Sequence, residues 1–220
     1  MISAIVFDFD GVLADSEPLH LRAYQEVLSS MGATLPREEY YARYLGYDDE
    51  GVFLAVSEDR GWELTGAQIS TLIAEKTEAF EQIVAGEDVL YIGASDCVQR
   101  LAAIWPLGIA SGAQRQDIEP VIRRGGIDRF FRFIVAAGDT PESKPAPDPY
   151  LRAAELHGVP PSSCVAVEDS RWGIRSAKTA GMWCIGITTT YPVSSLMEAD
   201  TIVTSLSEIT PELIRSLHSG

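Results

Sequence analysis

From residue 107 to residue 206 short apolar runs alternate with helical segments, and no other feature constrains the fold as strongly. LGIASG (107–112), FRFIVAAG (131–138), CVAVED (164–169), CIGIT (184–188) and TIVTSL (201–206) read as strands. Between them lie residues at helical spacing: Ile118, Val121 and Ile122 before a stop at Gly125, a helix that stops at Gly158, and Ile174 with Ala177 before Gly181. A helix opened by Ser95 and bearing Val98, Leu101 and Ile104 precedes the series. A further strand opens the chain, where Ile2, Ala4, Ile5, Val6 and Phe7 form a nearly continuous apolar run. Strands separated by helices imply right-handed βαβ units and one parallel sheet. The expected fold is therefore α/β, a Rossmann-like parallel sheet core flanked by helices.

An α-helical block interrupts this pattern immediately after the first strand. Ser16 or Glu17 starts a helix with Pro18 in its first turn, and Gly32 stops it. Pro36 opens a second helix that ends near Gly46, a third runs from about Asp48 to Arg60, and a fourth starts near Thr65. Ile69, Leu72, Ile73, Phe80 and Ile83 give the fourth its apolar stripe, and Lys76 falls inside that stripe. His20 lies one turn before Tyr24 on the apolar face of the first helix. For Lys76 a stem that snorkels to solvent competes with a functional role, and for His20 a satisfied core histidine does. The expected division is a core domain of residues 1–15 and 87–220 and a helical domain of residues 16–86.

Charge and composition narrow the partners. A formal net charge of −15 argues against nucleic acid, which is bound by clustered Lys and Arg. No apolar run is long enough for a membrane span, and the N-terminal run ends in Asp without the basic flank of a signal peptide, so a cytoplasmic protein is expected. Cys97, Cys164 and Cys184 are odd in number and far apart, as suits small buried hydrophobes better than a disulfide framework.

The chemistry concentrates at strand ends. Asp8 and Asp10 follow the first strand at a spacing of two, so both carboxylates project to one side, and Gly11 lets the backbone turn sharply. A DxDG sequence also serves as an ordinary turn. Ser111, Lys144, Glu168 and Asp169 lie at other strand ends or adjoining loops, and in a parallel sheet all such ends share one edge. Clustered carboxylates supply the hard oxygen ligands that Mg²⁺ prefers, a lysine and a hydroxyl suit phosphate oxygens, and one carboxylate is then available as a nucleophile.

Four motifs in order, with a helical block between the first and second, resemble the haloacid dehalogenase (HAD) superfamily along essentially the whole chain. DFDGVLADS is similar to the first motif, IASG to the second, SKPAPD to the third and VEDS (167–170) to the fourth. The helical block sits where the β-phosphoglucomutase and phosphoglycolate phosphatase branch carries its cap. The resemblance implies that Asp8 attacks phosphorus and forms a phosphoaspartate, while Asp10 protonates the leaving alkoxide and then deprotonates the hydrolytic water. It implies Mg²⁺ held by Asp8, the backbone carbonyl of Asp10, Asp169 and Glu168, the last directly or through water. Ser111, Gly112 and Lys144 would bind the phosphoryl group, and His20 and Lys76 would be cap residues reaching toward substrate.

The expected activity is that of a Mg²⁺-dependent phosphatase acting on a small phosphorylated metabolite, a sugar phosphate or phosphoglycolate-like compound, with a monomer as the expected state. Two alternatives stand beside it. A β-phosphoglucomutase-type mutase is disfavoured because Asp48, Asp49 and Glu50 stand where such mutases are associated with an arginine, and they would repel a second phosphate. A phosphoacceptor signalling domain would have no use for a second Asp two residues after the nucleophile, or for a helical insert.

Overall fold

β1 (Ala4–Phe7) is buried at every residue, as its unbroken apolar run requires of a central strand. A computed structural model of the chain describes residues 1–45 and 47–217. On one side β1 pairs with β2 (Leu107–Ala110), and β2 with β3 (Phe131–Val135). On the other side it pairs with β4 (Cys164–Glu168), followed by β5 (Trp183–Ile187) and β6 (Thr201–Val203). All these pairings are parallel, in the order β3-β2-β1-β4-β5-β6. The chain winds outward from β1 to β3, then crosses back and winds outward from β4 to β6. The winding reverses between β1 and β4, where open α/β sheets place their ligand crevice at the carboxyl ends of the strands. Several strands are shorter than the apolar runs that announced them: β2 ends at Ala110 and β4 at Glu168, so Ser111, Gly112 and Asp169 fall just beyond strand ends.

By contact density the chain divides into two units, Ser16–Glu87 and the remainder, Met1–Asp15 with the chain from Asp88 onward. The first contains α1 (Glu17–Ser30), α2 (Arg37–Arg43), α3 (Asp49–Arg60) and α4 (Gly66–Gly86). Asp48 caps α3 by accepting from Gly51 N at 2.8 Å, and Thr65 with Gln68 forms a capping box on α4. Tyr24, Leu28, Tyr40, Phe53 and Val56 are buried in the core of this unit. The expected end of the second helix at Gly46 lies outside the described residues, and α2 finishes at Arg43.

In the sheet unit α5 (Ala94–Ala102) precedes β2, α6 (Arg115–Arg124) follows it, α7 (Asp148–His157) precedes β4 and α8 (Arg171–Ala180) follows it. A short terminal helix, α9 (Pro211–Ser216), is not legible in the sequence, because six residues carry too little periodicity to stand out. Alternate residues of β1 and β4, among them Ala4, Val6, Cys164 and Ala166, pack with Tyr150, Ala153 and Ala154 of α7 and Ile174 and Ala177 of α8. The three cysteines are free and buried. No helix among the described residues is long and apolar enough to cross a membrane.

Candidate active site

The register of β1 against β4 sets the site. Phe7 pairs with Val167, and Asp8 N donates to Val167 O at 2.9 Å, which brings the residue after β1 beside the last residue of β4. One carboxylate oxygen from each of Asp8, Glu168 and Asp169 then falls within 4.8 Å of the others. Gly11 has φ +77, and a Cβ there would overlap the Asp169 carboxylate, so only glycine lets the turn come this close. Thr189 donates its hydroxyl to Gly11 O, and Thr190 hydrogen-bonds to Asp169.

Lys144 is the positive centre of this cluster. Its Nζ donates to Asp8 Oδ1 at 2.9 Å, to Ala110 O at 2.9 Å and to Glu168 Oε1 at 2.6 Å, linking the ends of β1, β2 and β4. Burial lowers the pKa of the ammonium, but the Asp8 and Glu168 carboxylates outweigh it and raise the value overall, so Lys144 stays charged. Tyr150, in the first turn of α7, donates to Glu168 Oε1 at 2.6 Å and is fully buried. Burial and then the charge of Asp8 push Glu168 up to about 7, against the opposing pull of Lys144 and Tyr150. Burial and the same Asp8 charge push Asp169 up to about 7.

The other residues singled out in the sequence are placed as follows. Ser111 is buried directly after β2, where its Oγ accepts from Ala113 N at 3.1 Å, and Gly112 beside it is exposed. Asp10 is half-buried in a backbone bridge with Ala14, and among the described residues its carboxylate is not part of the three-carboxylate group. Lys76 does not snorkel: it is 0% exposed, its Nζ lying 2.8 Å from Asp49 Oδ1 and 2.9 Å from His20 Nδ1. His20 stacks on Phe80 at 4.2 Å, and burial followed by the charge of Lys76 lowers its pKa to about 3, so the ring is neutral.

Sequence reasoning missed Tyr150, Thr189 and Thr190, and also Gly173, where a Cβ would overlap the Glu168 carboxylate. Tyr150 ends the SKPAPDPY stretch at a helix start, and the threonines follow directly on a strand end. Either position announces proximity to the edge, but not which side chain turns inward.

The donor set fits a hard divalent cation. Asp8, Glu168 and Asp169 offer oxygen only, three carboxylates face one ammonium, and burial followed by the charge of Asp8 raises Glu168 and Asp169 to about 7. Oxygen-only ligation with room for water or a phosphate oxygen is the chemistry of Mg²⁺.

A doubly wound parallel sheet with an acidic, lysine-bridged switch point places this chain among Rossmann-like α/β proteins. The chain belongs to the haloacid dehalogenase-like hydrolase family, whose profile matches residues 2–181. It is 29% identical over 194 residues to the fructose-1-phosphate phosphatase YqaB of Escherichia coli, covering 84% of this chain and 96% of that one. It is 29% identical over 219 residues to the beta-phosphoglucomutase of Bacillus subtilis, covering 97% and 94%. Among solved structures, a mutant of CbbY from Rhodobacter sphaeroides in complex with xylulose-(1,5)bisphosphate is similar with a TM-score of 0.81 and 30% identity, covering 95% of this chain and 96% of that one.

Proposed function

We propose that the protein is a Mg²⁺-dependent phosphatase that hydrolyses a small sugar phosphate through a phosphoaspartate on Asp8. The observation that carries this reading is the Lys144 ammonium held between Asp8 and Glu168 at the edge of an all-carboxylate cluster. Asp8 attacks phosphorus as the bond to the sugar oxygen breaks, and Asp10 gives that oxygen its proton. A water then gives a proton to Asp10 and attacks the same phosphorus, which frees Asp8 and inorganic phosphate. Ser111 and the backbone at Gly112 hold the phosphoryl oxygens, and the Lys144 charge beside Asp8 offsets theirs. Asp8, Glu168, Asp169 and the backbone carbonyl of Asp10 would hold Mg²⁺, which when bound offsets negative charge on the phosphoryl group.

Two relatives support sugar phosphates as the substrate class: YqaB is named for fructose 1-phosphate, and the CbbY structure holds a xylulose bisphosphate. Hydrolysis is favoured over a mutase reaction because the helical unit offers little free positive charge for a second phosphate. Asp48, Asp49 and Glu50 form an acidic run, and Lys76 is already paired with Asp49.

The test is release of inorganic phosphate from a panel of sugar phosphates with and without Mg²⁺. Turnover is expected only with the cation, and Asp8→Asn is expected to lower it by at least about 10³-fold. Undiminished turnover by Asp8→Asn would overturn the assignment of the nucleophile.

A further inference from the structure

Glu168 Oε1 accepts two hydrogen bonds, from Lys144 Nζ and from the Tyr150 hydroxyl, each at 2.6 Å. A carboxylate oxygen has two lone pairs, so Oε1 has none left for a cation. Oε2 is different, since it takes a weak contact from Ser170 Oγ at 3.4 Å. The whole carboxylate lies over the first turn of α8, where a Cβ on Gly173 would overlap it. Lys144 cannot hold Oε1 doubly, because its three N–H bonds already go to Asp8, Ala110 and Glu168. The second donor must come from elsewhere, and Tyr150 supplies it from α7.

We propose that Tyr150 is a positioning residue that keeps Glu168 a one-oxygen ligand, and that it thereby favours Mg²⁺ over Ca²⁺ at the cluster. Mg²⁺ demands a tight octahedral shell of single oxygens, whereas Ca²⁺ accepts bidentate carboxylates and a larger, looser shell. A hydroxyl that occupies Oε1 withholds the second oxygen that Ca²⁺ would use. Partners of this kind, one bond removed from the ion, typically change metal affinity by tenfold or more. The inference rests on the reading that a divalent cation sits among Asp8, Glu168 and Asp169.

Tyr150→Phe keeps the buried ring and removes only the hydroxyl. The experiment is calorimetric titration of the substrate-free protein with MgCl₂ and with CaCl₂, alongside thermal unfolding. The variant is expected to bind Mg²⁺ roughly tenfold more weakly, with Ca²⁺ affinity unchanged or raised, so that the preference for Mg²⁺ narrows. Equal losses for both ions, or no change in either, would overturn the proposal and leave the phosphatase reading intact. Wild-type protein that binds neither ion would remove both. Glu168→Gln provides a second check, since it retains one oxygen for Lys144 and Tyr150 but replaces the other with an amide nitrogen. It is expected to weaken Mg²⁺ at least tenfold and to make a further Tyr150→Phe change silent, whereas an additional loss in the double variant would count against action through Glu168.

Discussion

Lys144 Nζ stands 2.9 Å from Asp8 Oδ1, although 136 positions separate the two residues in the chain. The contact exists because the loop after β3 runs back over the carboxyl ends of β2, β1 and β4, and the ammonium finds an acceptor at each. Both side chains are 12% exposed and the third partner, Glu168, is 0% exposed, so the pair sits where an unbalanced charge is costly.

Replacing Lys144 with Met therefore leaves three clustered carboxylates without their counter-charge. Loss of one partner of a buried ion pair costs on the order of 3–5 kcal/mol, and the variant is expected to unfold in urea with a stability lowered by about that amount. Phosphate release is expected to fall by about 10²–10³-fold, because the reaction proposed above also loses the positive charge beside its nucleophile. A variant as stable and as active as the wild type would show that Lys144 does neither job.

Much of this site is legible in the amino-acid order alone. Asp8, Lys144, Glu168 and Asp169 lie at ends of apolar runs or in the loops beside them, and a parallel sheet gathers such ends on one edge. What the order of residues withholds is which partners each side chain takes. Lys144 is readable as a phosphate ligand, but its triple use by Asp8, Ala110 O and Glu168 depends on strand order and register, which no local pattern encodes. Tyr150 reads as one more apolar residue at a helix start, and its hydroxyl bond to Glu168 appears only once α7 is packed against the sheet. Lys76 is ambiguous for the opposite reason, since a lysine in an apolar stripe usually reaches solvent, and here Asp49 from α3 and His20 from α1 give its ammonium partners inside.

The carboxylates make stability depend on pH in a way that a cation should cancel. Folding raises Glu168 and Asp169 from their ordinary 4.5 and 3.8 to about 7, so between those limits the folded chain holds more protons than the unfolded one. Their contribution is fully present below the ordinary carboxylate range and is lost as pH rises through about 7. His20 and His157 act in the opposite sense. Burial and then Lys76 lower His20 to about 3, and burial and then Arg132 lower His157 to about 4, so their contribution is present above 6.5 and lost on acidification. Raising the pH from about 6 to about 8 is expected to lower the carboxylate part of the metal-free stability, and saturating Mg²⁺ is expected to stabilise more at the higher pH. Equal stabilisation by Mg²⁺ at both values, followed by urea unfolding, would contradict the linkage.

Gly173→Ala is expected to damage the site without altering the secondary structure. The residue sits in the first turn of α8 in an ordinary helical conformation, so alanine suits the backbone, but the added methyl would occupy the space of the Glu168 carboxylate. Glu168 must then move away from Lys144 and Tyr150. Circular dichroism is expected to be unchanged while phosphate release falls by about 10²-fold or more, the scale of misplacing a group at the reacting centre. Full activity in this variant would mean that Glu168 tolerates displacement.

The helical unit carries its own buried ion pair, and its two halves are not equivalent. Lys76 is 0% exposed, with Asp49 Oδ1 at 2.8 Å, His20 Nδ1 at 2.9 Å and the Tyr24 and Phe80 rings at 5.1 and 5.3 Å. Asp49 has a 15% exposed side chain and also accepts from the Tyr24 hydroxyl at 2.5 Å. Asp49→Ala strands an ammonium in the core with a neutral imidazole and two ring faces, and is expected to cost on the order of 3–5 kcal/mol. Lys76→Met leaves a carboxylate that still has a donor and some water, and is expected to cost less. In the double variant Asp49→Ala with Lys76→Met no charge is left unpaired, so its stability in urea is expected to exceed that of Asp49→Ala alone. Strict additivity of the two single costs would show that Lys76 and Asp49 do not depend on each other.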